Sequence, residues 1–188
     1  MRILKPITLP DGRLWRGRFD GLTRLLHWLT VAFVIFQFAS GLSFETLEGT
    51  PTFPFLLMLH RTAGVALWLI TLFRLCWRSS FATFPPFPIG LPHHMQWAAK
   101  LTEYALYGLL LLQPLSGLAD TLLRGRPFAL FLWTIPKLLP RQIEWSLFAH
   151  QLHEWGVWAL MAVAGLHALA ALFHHLVLKD DVLKAMLP

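Results

Sequence analysis

The chain has 188 residues, of which 56% are hydrophobic and only 14% charged, against about 25% charged in an ordinary soluble domain. So few charges cannot cover a water-facing surface of this size, which excludes a soluble globule. The net charge of +6 is carried by short segments between long apolar runs, which points to anionic lipid headgroups and away from nucleic acid. Cys76 is the one cysteine, so an internal disulfide and any C-x-x-C motif are excluded as well.

Residues 1–20 form a basic tail with Arg2, Lys5, Arg13, Arg16 and Arg18, and a turn is expected at Pro10-Asp11-Gly12. No short apolar core with a small-residue cleavage site precedes the first long apolar run, so that run is expected to direct insertion and to stay in the membrane. It covers residues 25–44, has no charge, and is long enough to cross the hydrocarbon core. Trp28 suits an interfacial anchor near its start. A short acidic loop follows, and Pro51 and Pro54 separate it from a second span at 55–77. Residues 78–96 are expected to be a loop, with Pro85, Pro86, Pro88 and Pro92. A third span follows at 97–119, which Pro114 is expected to kink. The longest connection, 120–147, contains the apolar stretch 128–133, too short to span and expected to be re-entrant or interfacial. The fourth span, 149–178, exceeds the minimum length and is expected to tilt. No internal repeat is strong enough to argue from.

Four spans put both ends of the chain on one side. That side carries Arg2, Lys5, Arg13, Arg16, Arg18, Arg24, Arg74, Arg78, Lys100, Lys179 and Lys184, and the other carries Arg61, Arg124, Arg126, Lys137 and Arg141. Eleven cations against five predict cytoplasmic termini by the positive-inside rule.

This topology sorts the histidines by depth. His27 enters the first span on the inner side, and His60 and His153 enter the second and fourth spans on the outer side. His167 lies fourteen residues beyond His153, about 21 Å further along a helix and within about 40° of the same face. His27 can therefore meet His167, and His60 can meet His153. Two neutral imidazoles on opposite faces of an iron are what a non-covalent haem b requires. A zinc or copper site remains open at this point, although the depth between the pairs disfavours the compact cluster such ions prefer. So do hydrogen-bonded structural histidines. His174 is the main rival of His167, and His150 and His175 read as interfacial. Gly41, Gly64, Gly156 and Gly165 serve either macrocycle clearance or tight helix packing. Arg24, Arg74 and Arg78 inside, and Arg61 outside, can meet propionates or headgroups. Arg74 stands out because it shares the face of His60. His93, His94, Lys100 and Glu103 are inner-side candidates for a quinone or propionate contact.

The ordered set Arg24-x-x-His27-Trp28, Met58-x-His60-x-x-x-Gly64, His153-Glu154, Gly165-x-His167, His174-His175-x-x-x-Lys179-Asp180 and Leu183-x-x-Met186-x-Pro188 resembles the bacterial and nickel-hydrogenase-type cytochrome b561 family over residues 20–188. The resemblance implies an all-α integral membrane protein, a four-transmembrane-helix bundle holding two b haems, as a single unit over 1–188. It implies His27 with His167 and His60 with His153 as axial ligands. It further implies an inner-membrane oxidoreductase passing electrons between an outer donor, superoxide being suspected, and ubiquinone. The alternative within the same family is an anchor subunit linking a partner dehydrogenase or hydrogenase to quinone. Arg124, Arg126, Lys137 and Arg141 are the cations expected to attract an anionic donor.

Overall fold

The computed structural model describes residues 17–82, 84–87 and 91–188. Arg2, Lys5, Arg13, Arg16, the Pro10-Asp11-Gly12 turn and Pro88 lie outside the described residues. Four helices are long and apolar enough to cross a membrane: α1 (Gly21–Leu42), α3 (Phe53–Ser80), α4 (His93–Leu123) and α5 (Ile143–Phe173), the last prolonged by a π-helical turn at His174–Leu178. A one-turn helix, α2 (Phe44–Leu47), occupies the acidic connection expected to be a loop.

The helices run past their apolar stretches, because each is started or continued by polar residues that hydropathy does not count. Asp20 caps α1: its carboxylate accepts from the Thr23 backbone N–H at 2.9 Å and from the Thr23 hydroxyl at 2.7 Å. α1 therefore begins four residues earlier than predicted. Pro54 sits in the first turn of α3, where its missing N–H costs nothing. α3 continues through Arg78, and α4 starts at His93, so the connection expected at 78–96 is much shorter. α4 runs as one helix through Pro114. The stretch 128–133 is neither re-entrant nor helical. It belongs to a β-hairpin, β1 (Phe128–Leu130) against β2 (Trp133–Ile135), paired antiparallel. Phe131 takes a positive φ of 52° in its two-residue turn, a position where glycine is usual. Its N–H donates to Thr62 Oγ1 at 2.8 Å, and the Arg61 guanidinium lies over the Phe128 ring, so the hairpin caps the start of α3.

The outer faces of the helices are apolar, and about half of the buried residues are polar. Leu25, Ile35, Leu112, Trp155 and Leu166 are exposed, whereas Thr30, Ser40, Thr71, Gln113, Ser116, Asp120 and Ser146 are buried. Water would penalise that arrangement and lipid tails reward it. Backbones pack closely in pairs, α1 on α3 and α4 on α5, with α3 on α4 joining the pairs. α5 makes no comparable backbone contact with α1 or α3. A small apolar cluster of Leu67, Leu110 and Leu160, with Phe33 and Val34 against it, fills the middle of the bundle. Leu160 is seven residues from both His153 and His167, so this plug divides the bundle into two levels.

Candidate functional site

α5 meets α1 and α3 through histidine rings. The rings of His27 and His167 have centroids 6.3 Å apart, and so do those of His60 and His153. A metal–imidazole bond is about 2.0 Å and the ligating nitrogen lies about 1.1 Å from the ring centre, so two imidazoles on opposite sides of one ion have centres about 6.2 Å apart. Both gaps therefore fit a bis-imidazole iron, and a macrocycle there would lie between α5 and the α1–α3 pair, where the backbones do not pack closely. A cavity of about 50 Å³ opens beside the His60–His153 pair. It is lined by His60, His153, Gln37, Gln113, Leu67 and Leu160 among others. Among the described residues no three His, Cys, Asp or Glu side chains converge on one point, so no compact zinc or copper site is built.

The outer rings are tightly held. His60 Nδ1 lies 2.8 Å from Ser40 Oγ. His153 Nδ1 lies 2.9 Å from the Gln113 carbonyl and 3.1 Å from Ser116 Oγ. The Gln113 side-chain amide donates to the His153 carbonyl at 2.5 Å. The inner rings differ. Among the described residues neither His27 nor His167 has a hydrogen-bond partner on its ring nitrogens, and His167 is exposed where the other three are half-buried. His174 is not aimed at His27. Its Nδ1 sits 2.6 Å from Asp180 Oδ2, so His167 is the ring that faces His27. His175 has a buried Nδ1 without a partner among the described residues.

Arg74 lies at the inner level. Its guanidinium donates to Thr30 Oγ1 at 3.1 Å, one turn from His27, and stands 5.4 Å from the Tyr107 ring centre. Arg78 forms a 2.6 Å ion pair with Glu103, and Lys100 pairs with the same carboxylate at 3.1 Å. His93 and His94 stand exposed on the first turn of α4 and share no hydrogen bond or ion pair with Lys100 or Glu103. Arg24 donates to the Leu187 carbonyl at 2.8 Å, and Trp28 to that of Met186 at 2.9 Å, strapping the C-terminal segment over the start of α1.

At the opposite end Asp120 takes both nitrogens of Arg124, at 3.0 and 2.8 Å, and the Ser146 hydroxyl at 2.7 Å. His150 lies 3.4 Å from both Asp120 and Glu154. Arg126, Lys137 and Arg141 are exposed. Gly125, at φ +61°, allows the chain to cross itself, since a Cβ there would lie 2.6 Å from the Arg141 nitrogen.

The glycines divide. Gly64 and Gly156 are notches filled by the side chains of Gln37 and Gln113, Gly41 lies against the His60 ring, and a Cβ on Gly165 would meet nothing within 4 Å. The sequence reading missed Gly117, whose added Cβ would sit 2.9 Å from His153 Cε1, and it missed Ser40, Ser116, Gln37 and Gln113. One signal could have found them: Gln37-Phe38-Ala39-Ser40-Gly41 and Gln113-Pro114-Leu115-Ser116-Gly117 repeat the pattern Q-x-x-S-G in two apolar spans.

Comparison with known proteins agrees with this architecture. The family model described as prokaryotic cytochrome b561 matches residues 18–188. The chain is 32% identical to cytochrome b561 homolog 2 of Escherichia coli (strain K12) over 179 residues, covering 90% of this chain and 91% of the relative. It is 28% identical to cytochrome b561 homolog 1 of the same organism over 177 residues, covering 92% and 98%. It is also 28% identical to the probable superoxide oxidase CybB of Yersinia pestis over 169 residues, covering 87% and 92%. With four spans, a partly polar interior and a match across nearly its whole length, the chain belongs to the prokaryotic cytochrome b561 family, and is a multi-pass membrane protein with that family's electron-carrying, oxidoreductase-type role.

Proposed function

We propose that this protein passes electrons across the bacterial inner membrane through two non-covalent b haems. His27 with His167 would hold the inner haem, and His60 with His153 the outer. One observation carries the proposal: two imidazole pairs at two depths share the same 6.3 Å separation, the value a bis-imidazole iron demands. Haem held by these four histidines would supply one-electron exchange.

The chain's own residues do the rest. Ser40, Ser116 and Gln113 orient the outer rings, and Arg74 supplies an inner cation for a propionate. The Leu67–Leu110–Leu160 plug keeps water out of the space between the two levels. The donor belongs at the outer face, with superoxide the favoured candidate. That choice draws on the exposed cations Arg126, Lys137 and Arg141 and on the likeness to the probable superoxide oxidase of Yersinia pestis. Membrane ubiquinone is the proposed acceptor. Cytoplasmic termini follow from the eleven-to-five division of cations.

The test is a pyridine haemochrome assay with protein quantification on the detergent-purified chain. Two haems b per chain are expected, with one lost in each of His27→Ala, His60→Ala, His153→Ala and His167→Ala. Folded wild-type protein without haem would end this reading. A redox subunit that stays bound through purification would favour the anchor-subunit alternative.

A further inference from the structure

We propose that the two Q-x-x-S-G segments are matched imidazole clamps that make the outer haem the lower-potential of the two. The inference rests on the bis-histidine reading above and concerns residues to which that reading gives only an orienting role. Each clamp works inside one packed helix pair: Ser40 on α1 reaches His60 on α3, and Ser116 on α4 reaches His153 on α5. The clamped rings then face each other across the space between the helix pairs.

The hydrogen bonds fit one tautomer, the one a haem ligand bound through Nε2 needs. A serine hydroxyl has one proton to give. Ser40 gives its proton to the Gln37 carbonyl at 3.0 Å, and Ser116 gives its own to the Gln113 carbonyl at 2.7 Å. Neither oxygen has a proton left for a histidine, so each accepts from Nδ1. The Gln113 carbonyl, 2.9 Å from His153 Nδ1, can only accept and favours the same tautomer; the one donor near that nitrogen among the described residues, the Gln113 side-chain amide, is further off at 3.3 Å and already donates to the His153 carbonyl. Both outer rings thus carry their proton on Nδ1 and turn the Nε2 lone pair to that space.

The rest of each motif supports its ring. The glycine after each serine leaves room for it: a Cβ on Gly41 would lie 3.8 Å from His60 Cε1, and one on Gly117 only 2.9 Å from His153 Cε1. Each glutamine side chain lies against a glycine about one turn beyond the clamped histidine, Gln37 at Gly64 and Gln113 at Gly156.

An acceptor on Nδ1–H raises the basicity of the ligating nitrogen. A more basic ligand favours ferric over ferrous iron, which lowers the potential. The inner pair has no such acceptor among the described residues, and the Arg74 guanidinium is bonded one turn from His27. A fixed positive charge favours the ferrous state, whose site carries one positive charge fewer. Arg61, the residue after His60, puts a like charge at the outer level, so the difference comes from the clamps: they set the outer level below the inner, and an electron arriving outside runs downhill inward.

The experiment is an equilibrium redox titration of the Soret and α bands of the holoprotein, for wild type, Ser40→Ala, Ser116→Ala, Ser40→Thr and Ser116→Thr, each with its haem content measured. The two alanine variants are expected to move the same wave, the lower one, to more positive potential, and to leave the other in place. A tenfold change in the ferrous-to-ferric ratio corresponds to about 59 mV for a one-electron couple. The threonine variants, which keep the hydroxyl, are expected to titrate as wild type. Loss of one haem in an alanine variant with retention in its threonine counterpart also supports the clamp. Unmoved waves at full haem content, waves that move separately in the two alanine variants, or equal haem loss in alanine and threonine variants would each overturn it. A wild-type chain that binds no haem fails earlier, at the haemochrome assay, and refutes the bis-histidine reading itself.

Discussion

An added methyl separates two glycines that look alike in sequence. At Gly41 it would meet His60 Cε1 at an ordinary 3.8 Å, whereas at Gly117 it would press on His153 Cε1 at 2.9 Å, against a ring already bonded on Nδ1. Gly41→Ala is expected to keep both haems. Gly117→Ala is expected to lose the outer one and to destabilise the bundle by about 1–3 kcal/mol, as overpacking does. Haem-to-protein ratios and thermal melts of the two variants in detergent check this, and equal behaviour would contradict the clearance argument. That His27 faces His167 and His60 faces His153 was legible in the sequence because depth is additive along a helix: fourteen residues carry a ring from one level to the other whatever the neighbours do. The hydrogen-bond partners of these rings were not. A serine or glutamine inside an apolar span looks the same in sequence whether it bonds its own helix or a ring on the next one. Arg74 shows the same limit, since its shared face with His60 was legible but its bond to Thr30 on α1 depends on how α1 and α3 pack.

The apolar lengths found the four spanning helices, while their ends depended on groups hydropathy ignores. Asp20 is the clearest case. It caps α1 and also accepts the Trp77 indole N–H at 3.1 Å, which ties the start of α1 to the end of α3. Asp20→Ala should therefore cost about 1 kcal/mol for the cap alone, and more with the indole left unsatisfied. Asp20→Asn, which keeps an oxygen acceptor, should recover most of the loss. Thermal denaturation followed by helical circular dichroism would measure both, and identical melting of the alanine variant and wild type would remove the cap from the account. The hairpin at 128–135 escaped the sequence reading for another reason. Its turn places Phe131 at φ 52°, where no turn-forming residue advertises it, and the Thr62 hydroxyl secures the N–H from a different element. Tertiary anchoring there outweighs local turn chemistry.

Over the whole molecule, charge is divided between the two ends. At the outer end Arg124 is neutralised by Asp120, so an approaching anion feels Arg126, Lys137 and Arg141 more than all four cations predicted from sequence. Replacing those three with glutamine is expected to slow reduction by superoxide and to flatten its dependence on ionic strength, with haem content and visible spectra unchanged. Stopped-flow reduction across a salt series measures it, and an unchanged rate at low salt would remove the steering argument. One feature of the packing also bears on how the protein is made. Both ring pairs draw one member from α5, and α5 leans on the α1–α3 hairpin through those rings more than through its backbone. While the ribosome is still releasing the chain, each level has a single imidazole, and a lone axial ligand grips weakly. On the two-haem proposal, haem loading belongs after translation, when the last span completes both levels at once. A chain cut short before Ile143 would insert its first three spans and still carry no pigment.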